Sequence, residues 1–285
     1  MTLRFIVVSQ VDVSQVVVTF GKSVPTCADR SWATDVPSTF GRVETSALAV
    51  ILGAVLLASI VQGSSGLGFN LTSAPIIATV LPGSSAVGMV NLFALLQNAW
   101  LVTRERGRIR WTAFRVLGPS LAAGVIIGFL MVRLIPSAAV PILVALSALG
   151  SLAALLLWRA GTGRASGVLA GVWSGAINTY AGVGGPPVAS YLIGQGWSHG
   201  DMVRTMQVVF IGIDIVSLPI LGLPRLPWWF YGLAVMAIIA GSAMGRAVRG
   251  RLTHEAAVRL SQVVIAVAAT ASLIRSTLEL LSRSG

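Results

Sequence analysis

The chain has 285 residues, 55% of them hydrophobic and only 10% charged, with a mean hydropathy of +0.86. A soluble domain carries about 25% charged residues, so the composition describes an integral membrane protein and excludes an ordinary soluble fold. The net charge of +11 does not imply nucleic acid, because the arginines stand in short clusters between apolar runs rather than along one amphipathic face. They report topology instead.

In chain order, residues 1–45 come first, polar and mixed in charge, without the continuous apolar run of a signal peptide. They read as a poorly ordered tail or as the product of an upstream start codon. The single cysteine, Cys27, lies there, which excludes a disulfide framework or a cysteine metal site. Apolar segments then follow at 46–62, 68–81, 84–103, 111–132, 136–158, 166–181, 186–196, 203–222, 228–246 and 255–274. The short ones form two pairs, each joined by a glycine-rich break: "GSSGLGFN" at Gly63–Asn70 and "AGVGGPP" at Ala181–Pro187.

These breaks recur because the chain repeats. A shift of about 117 residues lays Trp111 on Trp228, Gly124 on Gly241 and Gly128 on Gly245, and "LIPSAAV" on "RLTHEAA". With a one-residue slip Asn91 meets Gln207 and Asn98 meets Asp214. The fold expected is all-α: a polytopic membrane protein of two inverted-topology repeats, 46–164 and 165–285, each a broken-helix pair plus three transmembrane helices. Inversion follows from charge. Arg104, Arg106, Arg108 and Arg110 belong on the cytoplasmic side, as do Arg159 and Arg164 and, in the second half, Arg246, Arg249 and Arg251. The loops with Arg133 and Arg225 hold one basic residue each. This agrees only if 84–103 runs inward and 203–222 outward, with both ends of the membrane region outside the cytoplasm.

Inverted repeats with helices broken at matching positions point to a secondary transporter and its binding site. A proline in a helix interior costs about 3 kcal/mol, yet at a helix start it gives up a donor that had no partner. Pro186 and Pro187 are therefore expected to open a half-helix at 186–196, with Gly182, Gly184 and Gly185 allowing close backbone approach. Its free amides and positive dipole end suit an anion.

The motifs "GSSGLGFNLTSAP" and "SGAINTYAGVGGPPVASYL", with the spacing between them, resemble the sulfite exporter TauE/SafE family over Ser46 to about Arg275. The resemblance implies two repeated halves, each with a glycine-rich break followed by proline, and movement of sulfite, sulfonates or related sulfur- or carboxylate-bearing anions across the cytoplasmic (inner) membrane. The first half departs from the family's usual run of glycines, having Phe69 and Asn70 after Gly68.

Asp214 is the only acid deep within a long apolar segment, a costly placement that marks either function or a structural hydrogen bond. It is a candidate for a coupling proton. It shares a helix face with Arg204 and Gln207, and Asn91 and Asn98 repeat the seven-residue spacing in the first half. The substrate-binding set expected is Gly66, Gly68, Asn70, Asn91, Asn98, Asn178, Tyr180, Gly182, Gly184, Gly185, Pro186, Arg204 and Gln207. Asn70, Asn178 and Tyr180 serve equally well as partners for backbone freed by the breaks, and Arg204 as a snorkelling or positive-inside residue. Gly124 with Gly128 and Gly241 with Gly245 are spaced for close helix packing. Trp100, Trp111, Trp158, Trp197, Trp228 and Trp229 read as interfacial anchors.

His199 and His254 lack the companions of a metal site, and the buried inventory is too poor for nucleophilic or metal catalysis. No enzyme activity, cofactor or metal is expected. The partners expected are a small anion and the lipid bilayer, with the oligomeric state left open. A channel and a non-transporting membrane sensor or assembly protein are the alternatives to a transporter.

Overall fold

The computed structural model describes residues 45–81, 83–136, 139–157, 161–222, 226–251 and 253–284. Residues 1–44 of the expected tail, with Cys27, and Trp158, Arg159 and Arg225 lie outside these; the tail's last residue, Thr45, begins the first helix. The described residues form ten α-helices: α1 Thr45–Ser65, α2 Phe69–Ile77, α3 Gly83–Arg104, α4 Phe114–Leu134, α5 Val140–Leu157, α6 Arg164–Ala181, α7 Gly185–Gly194, α8 His199–Leu221, α9 Trp228–Arg251 and α10 His254–Ser284. A short 3-10 turn, Trp111–Ala113, leads into α4. Helices follow from the solvent: in hydrocarbon every backbone donor and acceptor must find its partner within the segment.

Seven stretches are long and apolar enough to cross a membrane, namely α1, α3, Trp111–Leu134, α5, α8, α9 and Glu255–Glu279 of α10. The chain is a multi-pass, all-helical membrane protein. Each apolar segment became one helix, with one revision: α1 is 21 residues long and α6 is 18, so only α2 and α7, of 9 and 10 residues, are short. Gly63–Ser65 and Arg164–Ala165 extend those two helices beyond the apolar segments, because a helix needs hydrogen bonds along its backbone and not apolar side chains.

Glycine sets the breaks. Gly66 closes the last turn of α1, donating to the Gln62 carbonyl at 2.7 Å with φ 82°, and Gly68 precedes α2 at φ 119°. Gly182 does the same for α6, donating to the Asn178 carbonyl at 2.9 Å with φ 74°. Left-handed backbone of this kind is cheap only for glycine. Pro186 and Pro187 sit buried in the first turn of α7.

The helices pack in two matching sets. A methyl group added at Gly124 of α4 would strike the carbonyl of Val172 and the amide nitrogen of Ala176 in α6. One added at Gly241 of α9 would strike the carbonyl of Leu56 and approach the amide nitrogen of Ile60 in α1. Gly128 likewise touches Ala176 and Thr179, where Gly245 touches Ile60 and Gly63. Partner for partner, the contacts of α4 on α6 recur as those of α9 on α1. Between these pairs α3 and α8 cross antiparallel, with Gly88 against Gly222 at one end and the loop after α3 on the start of α8 at the other.

That loop is tightly held. Asp201 accepts from the Arg108 amide at 2.7 Å and pairs with the Arg110 guanidinium at 2.6 Å, Thr205 accepts from the Arg110 amide, and Arg204 donates to the Gly107 carbonyl at 2.8 Å. Arg249 at the end of α9 pairs with Glu105 at 3.0 Å. Trp111, Trp228 and Trp229 are exposed. Reporter fusions after Arg108 and after Arg251 should lie on the same side of the membrane and a fusion after Ser282 on the other; Arg108 and Arg251 on opposite sides would refute the inverted arrangement.

Candidate functional site

Where the two breaks face α3 and α8, six side chains form one continuous chain of hydrogen bonds. Gln207 donates to the Gly66 carbonyl at 3.0 Å, and Gln62 Nε2 donates to Gln207 Oε1 at 3.1 Å and to Asn98 Oδ1 at 2.8 Å. Asn98 Nδ2 donates to Asp214 Oδ2 at 3.4 Å and Asn178 Nδ2 to Asp214 Oδ1 at 3.3 Å. Asn70 Nδ2 completes the chain by donating to Asn178 Oδ1 at 3.3 Å. Gln62, Asn98, Asn178, Gln207 and Asp214 are all buried. Asp214, 1% exposed, meets two amide donors and takes part in no ion pair among the described residues.

Gln62, Asn70, Asn98, Asn178 and Asp214 line a cavity of about 20 Å³, walled also by Leu67, Gly68, Phe69, Gly185, Phe210 and Ile213, with Gln207 behind Gln62. That volume suffices for about one water, less than a sulfur oxyanion needs. Both short helices begin at this cavity, and each has a glycine at its N-cap, Gly68 and Gly184, which offers no side-chain cap of its own. At α2 the amide of Phe69 is taken by Gln62 Oε1 at 2.9 Å. The contracted pocket is thus closed on its own hydrogen bonds, which a ligand would have to exchange.

Much of the network pairs off at one spacing. Gln62 and Asn178, Asn91 and Gln207, Asn98 and Asp214, and the break glycines Gly66 and Gly182 each stand 116 residues apart. Gln62 bonds Asn98 as Asn178 bonds Asp214. One methylene breaks the match. Gln62 is long enough to reach Gln207 as well, whereas the Asn178 amide is spent on Asp214, and Asn91 Oδ1 is left buried without a partner.

Of the residues singled out in the sequence, the structure brings Gly66, Gly68, Asn70, Asn98, Asn178, Gly185, Gln207 and Asp214 to the network or its cavity. Asn91 is beside it, donating to the Asn178 carbonyl at 3.4 Å. Gly182, Gly184 and Pro186 shape the second break: Gly184 lies so close to Ser174 and Asn178 of α6 that a side chain would collide with backbone. Tyr180 lies elsewhere, sharing a hydrogen bond with Ser147 at 3.1 Å. Arg204 turns to the 105–110 loop rather than to the pocket.

Gln62 is the residue that sequence reading missed. It stood at the end of an apolar segment, and its signal was its match to Asn178 under the same one-residue slip that pairs Asn98 with Asp214. Gln62→Ala would orphan the Phe69 amide, Asn98 Oδ1 and Gln207 Oε1, at about 1–3 kcal/mol for each buried group that finds no new partner. A marked drop in melting temperature in detergent is expected, and an unchanged melting curve would show the network to be energetically idle.

No group of three or more His, Cys, Asp or Glu able to hold a metal stands among the described residues. The sulfite exporter TauE/SafE family matches residues 51–273. The chain belongs to that family. The match takes in both breaks, α3, α8 and every member of the polar network, so it places the protein among membrane transporters of small sulfur-containing anions. No curated protein and no solved structure matches the chain.

Proposed function

We propose that this family member is a secondary transporter that moves a small sulfur-containing anion (sulfite, a sulfonate or a related organic acid) across the inner membrane by alternating access between two inverted halves. The observation that carries this reading is the buried polar network joining both breaks to α3 and α8, with the starts of two half-helices opening on it. Amide side chains and helix N-termini donate hydrogen bonds, which is what sulfur oxygens accept. The repeated packing of α4 on α6 and α9 on α1 supports a duplicated scaffold moving about that centre.

Asp214 supplies the coupling in this reading. An anion about 5 Å from an ionised carboxylate would be repelled by about 3 kcal/mol at an effective dielectric of 20, and no described cation reaches the pocket to offset it. The anion therefore binds with a proton on Asp214, and the two travel together. Arg204 acts outside the pocket, holding the cytoplasmic loop against α8.

The test is substrate affinity and uptake into proteoliposomes for Gly185→Ala and Gly68→Ala. A methyl at Gly185 would stand 3.3 Å from Leu67 and 3.4 Å from Phe210, a fit that the fold tolerates while filling the pocket. Affinity should fall about tenfold, roughly 1.4 kcal/mol, with little change in melting temperature. Gly68 has φ 119°, so its alanine variant is strained and should lose stability as well. Wild-type affinity in a folded Gly185→Ala would place the site elsewhere, and single-channel currents would make the protein a pore.

A further inference from the structure

Two further cavities lie at corresponding helix ends of the two halves, and the larger borders the polar pocket. The larger, about 410 Å³, lies between the end of α1 and the starts of α8 and α10, bounded by Ser65, His199, Met202 and Gln262. The smaller, about 150 Å³, lies between the end of α6 and the starts of α3 and α5, bounded by Tyr180, Gly83 and Val140. Under the repeat α1 corresponds to α6, α8 to α3 and α10 to α5. The two cavities thus adjoin corresponding helix ends, with Gly83 on the smaller standing where His199 stands on the larger; their remaining walls differ, α5 and α7 closing the larger and the ends of α4 and α8 the smaller. The larger one adjoins the arginine-rich end, since the start of α8 holds the 105–110 loop.

Among the described residues Leu67 alone borders both the larger cavity and the polar pocket. Its Cδ1 reaches across to the second break, 3.3 Å from the point where a Gly185 side chain would begin. It stands between Gly66 and Gly68, both at positive φ, so the backbone on either side of it is free to turn. Its counterpart in the second break, 116 residues on, is Val183, which stands between Gly182 and Gly184. Val183 is fully buried in the apolar core and lines neither the pocket nor the smaller cavity.

We propose that Leu67 and Val183 are the paired gates of the anion pocket, each an apolar side chain between two glycines. This rests on the transporter reading and adds to it the barrier residues and the route. In the state described, the vestibule at the arginine-rich end is open as far as Leu67, and that one side chain shuts the pocket from it. Val183, fully buried in the apolar core between the glycines of the second break, is the closed gate. Exchange of the two arrangements between halves opens the other side. An apolar barrier fits the task, because a narrow constriction without hydrogen-bonding groups sheds water and stops an anion until it moves aside.

The test reads the gates without substrate. In a Cys27→Ser background, Ile213→Cys puts a thiol on the pocket wall, and a charged, membrane-impermeant thiosulfonate reagent is applied to sealed vesicles from either side. Leu67→Ala should speed modification from the arginine-rich side by about tenfold, the effect of lowering a barrier by about 1.4 kcal/mol, with no comparable change from the opposite side. Val183→Ala should act from the opposite side, and Leu67→Phe, a larger plug at the same position, should slow modification. Rates in Leu67→Ala within about twofold of the parent, or raised equally from both sides, would overturn the proposal. So would a Leu67→Phe protein modified as fast as the parent. A protein whose gates respond while no anion is taken up refutes the transport reading alone; uptake of sulfite with unresponsive gates refutes the gates alone.

Discussion

Asp214→Asn is expected to give a folded protein whose uptake no longer responds to a pH gradient. The carboxylate accepts one hydrogen bond from Asn98 and one from Asn178. An asparagine keeps one acceptor and turns a donor toward the other amide, which must flip or lose its bond, at a cost of about 1 kcal/mol. The melting temperature should therefore fall by only a few degrees, about 2–4 °C for a protein of this size. The functional loss should be far larger. Without an ionisable group in the pocket nothing there takes up a proton with the anion, and gradient-driven flux should drop to the level of empty liposomes. Residual downhill exchange of anion for anion is expected to survive. Undiminished pH-driven flux in the variant would make Asp214 a structural residue and the coupling idea wrong.

The largest effects on stability are expected at Gly124 and Gly241. Each is a point where one helix rides on the backbone of another: α4 on the Val172 carbonyl, α9 on the Leu56 carbonyl. A methyl group at either site has no flexible side chain to push aside, so the helices must separate. Overpacking costs about 1–3 kcal/mol or more, and in a bilayer helix association relies on this close packing. Gly124→Ala and Gly241→Ala should lower the melting temperature by similar amounts, since the contacts are counterparts. Gly118 and Gly232, on the same two helices, have nothing within 4 Å of an added methyl. Their alanine variants should be neutral, or more stable by about 0.5–1 kcal/mol. Equal tolerance at all four positions would show that the packing is not specific.

Much of the architecture was legible because lipid imposes it. Ten apolar segments became ten helices, and the glycine breaks fell where φ turns positive, since a bilayer forbids irregular backbone except at a built site. Helix ends were less legible: α1 runs on through Gln62 to Ser65 because polar residues continue a helix once its far face is packed against protein. The same limit hid Gln62, which in a linear reading is a polar residue at a segment edge. Its partners Asn98, Gln207 and the Phe69 amide come from three other places in the chain. Arg204 and Gln207 share a helix face, yet the helix carries one to the loop and the other to the pocket. Tyr180 sits two residues from Asn178 and so points away from it, toward Ser147 of α5. Face sharing follows from helical periodicity; depth along the helix depends on which neighbours it meets.

The central claim is that an anion and the proton on Asp214 occupy one pocket together. The most direct measurement is proton exchange on binding, by titrating a short sulfonate into the purified protein at several pH values in buffers of different ionisation enthalpy. A sulfonate suits this because its own charge is constant across neutral pH. The account predicts saturable binding that takes up close to one proton per anion from solution where Asp214 is ionised beforehand, and none in Asp214→Asn. Saturable binding with no proton uptake in the wild type, or with the same uptake in the variant, would contradict it.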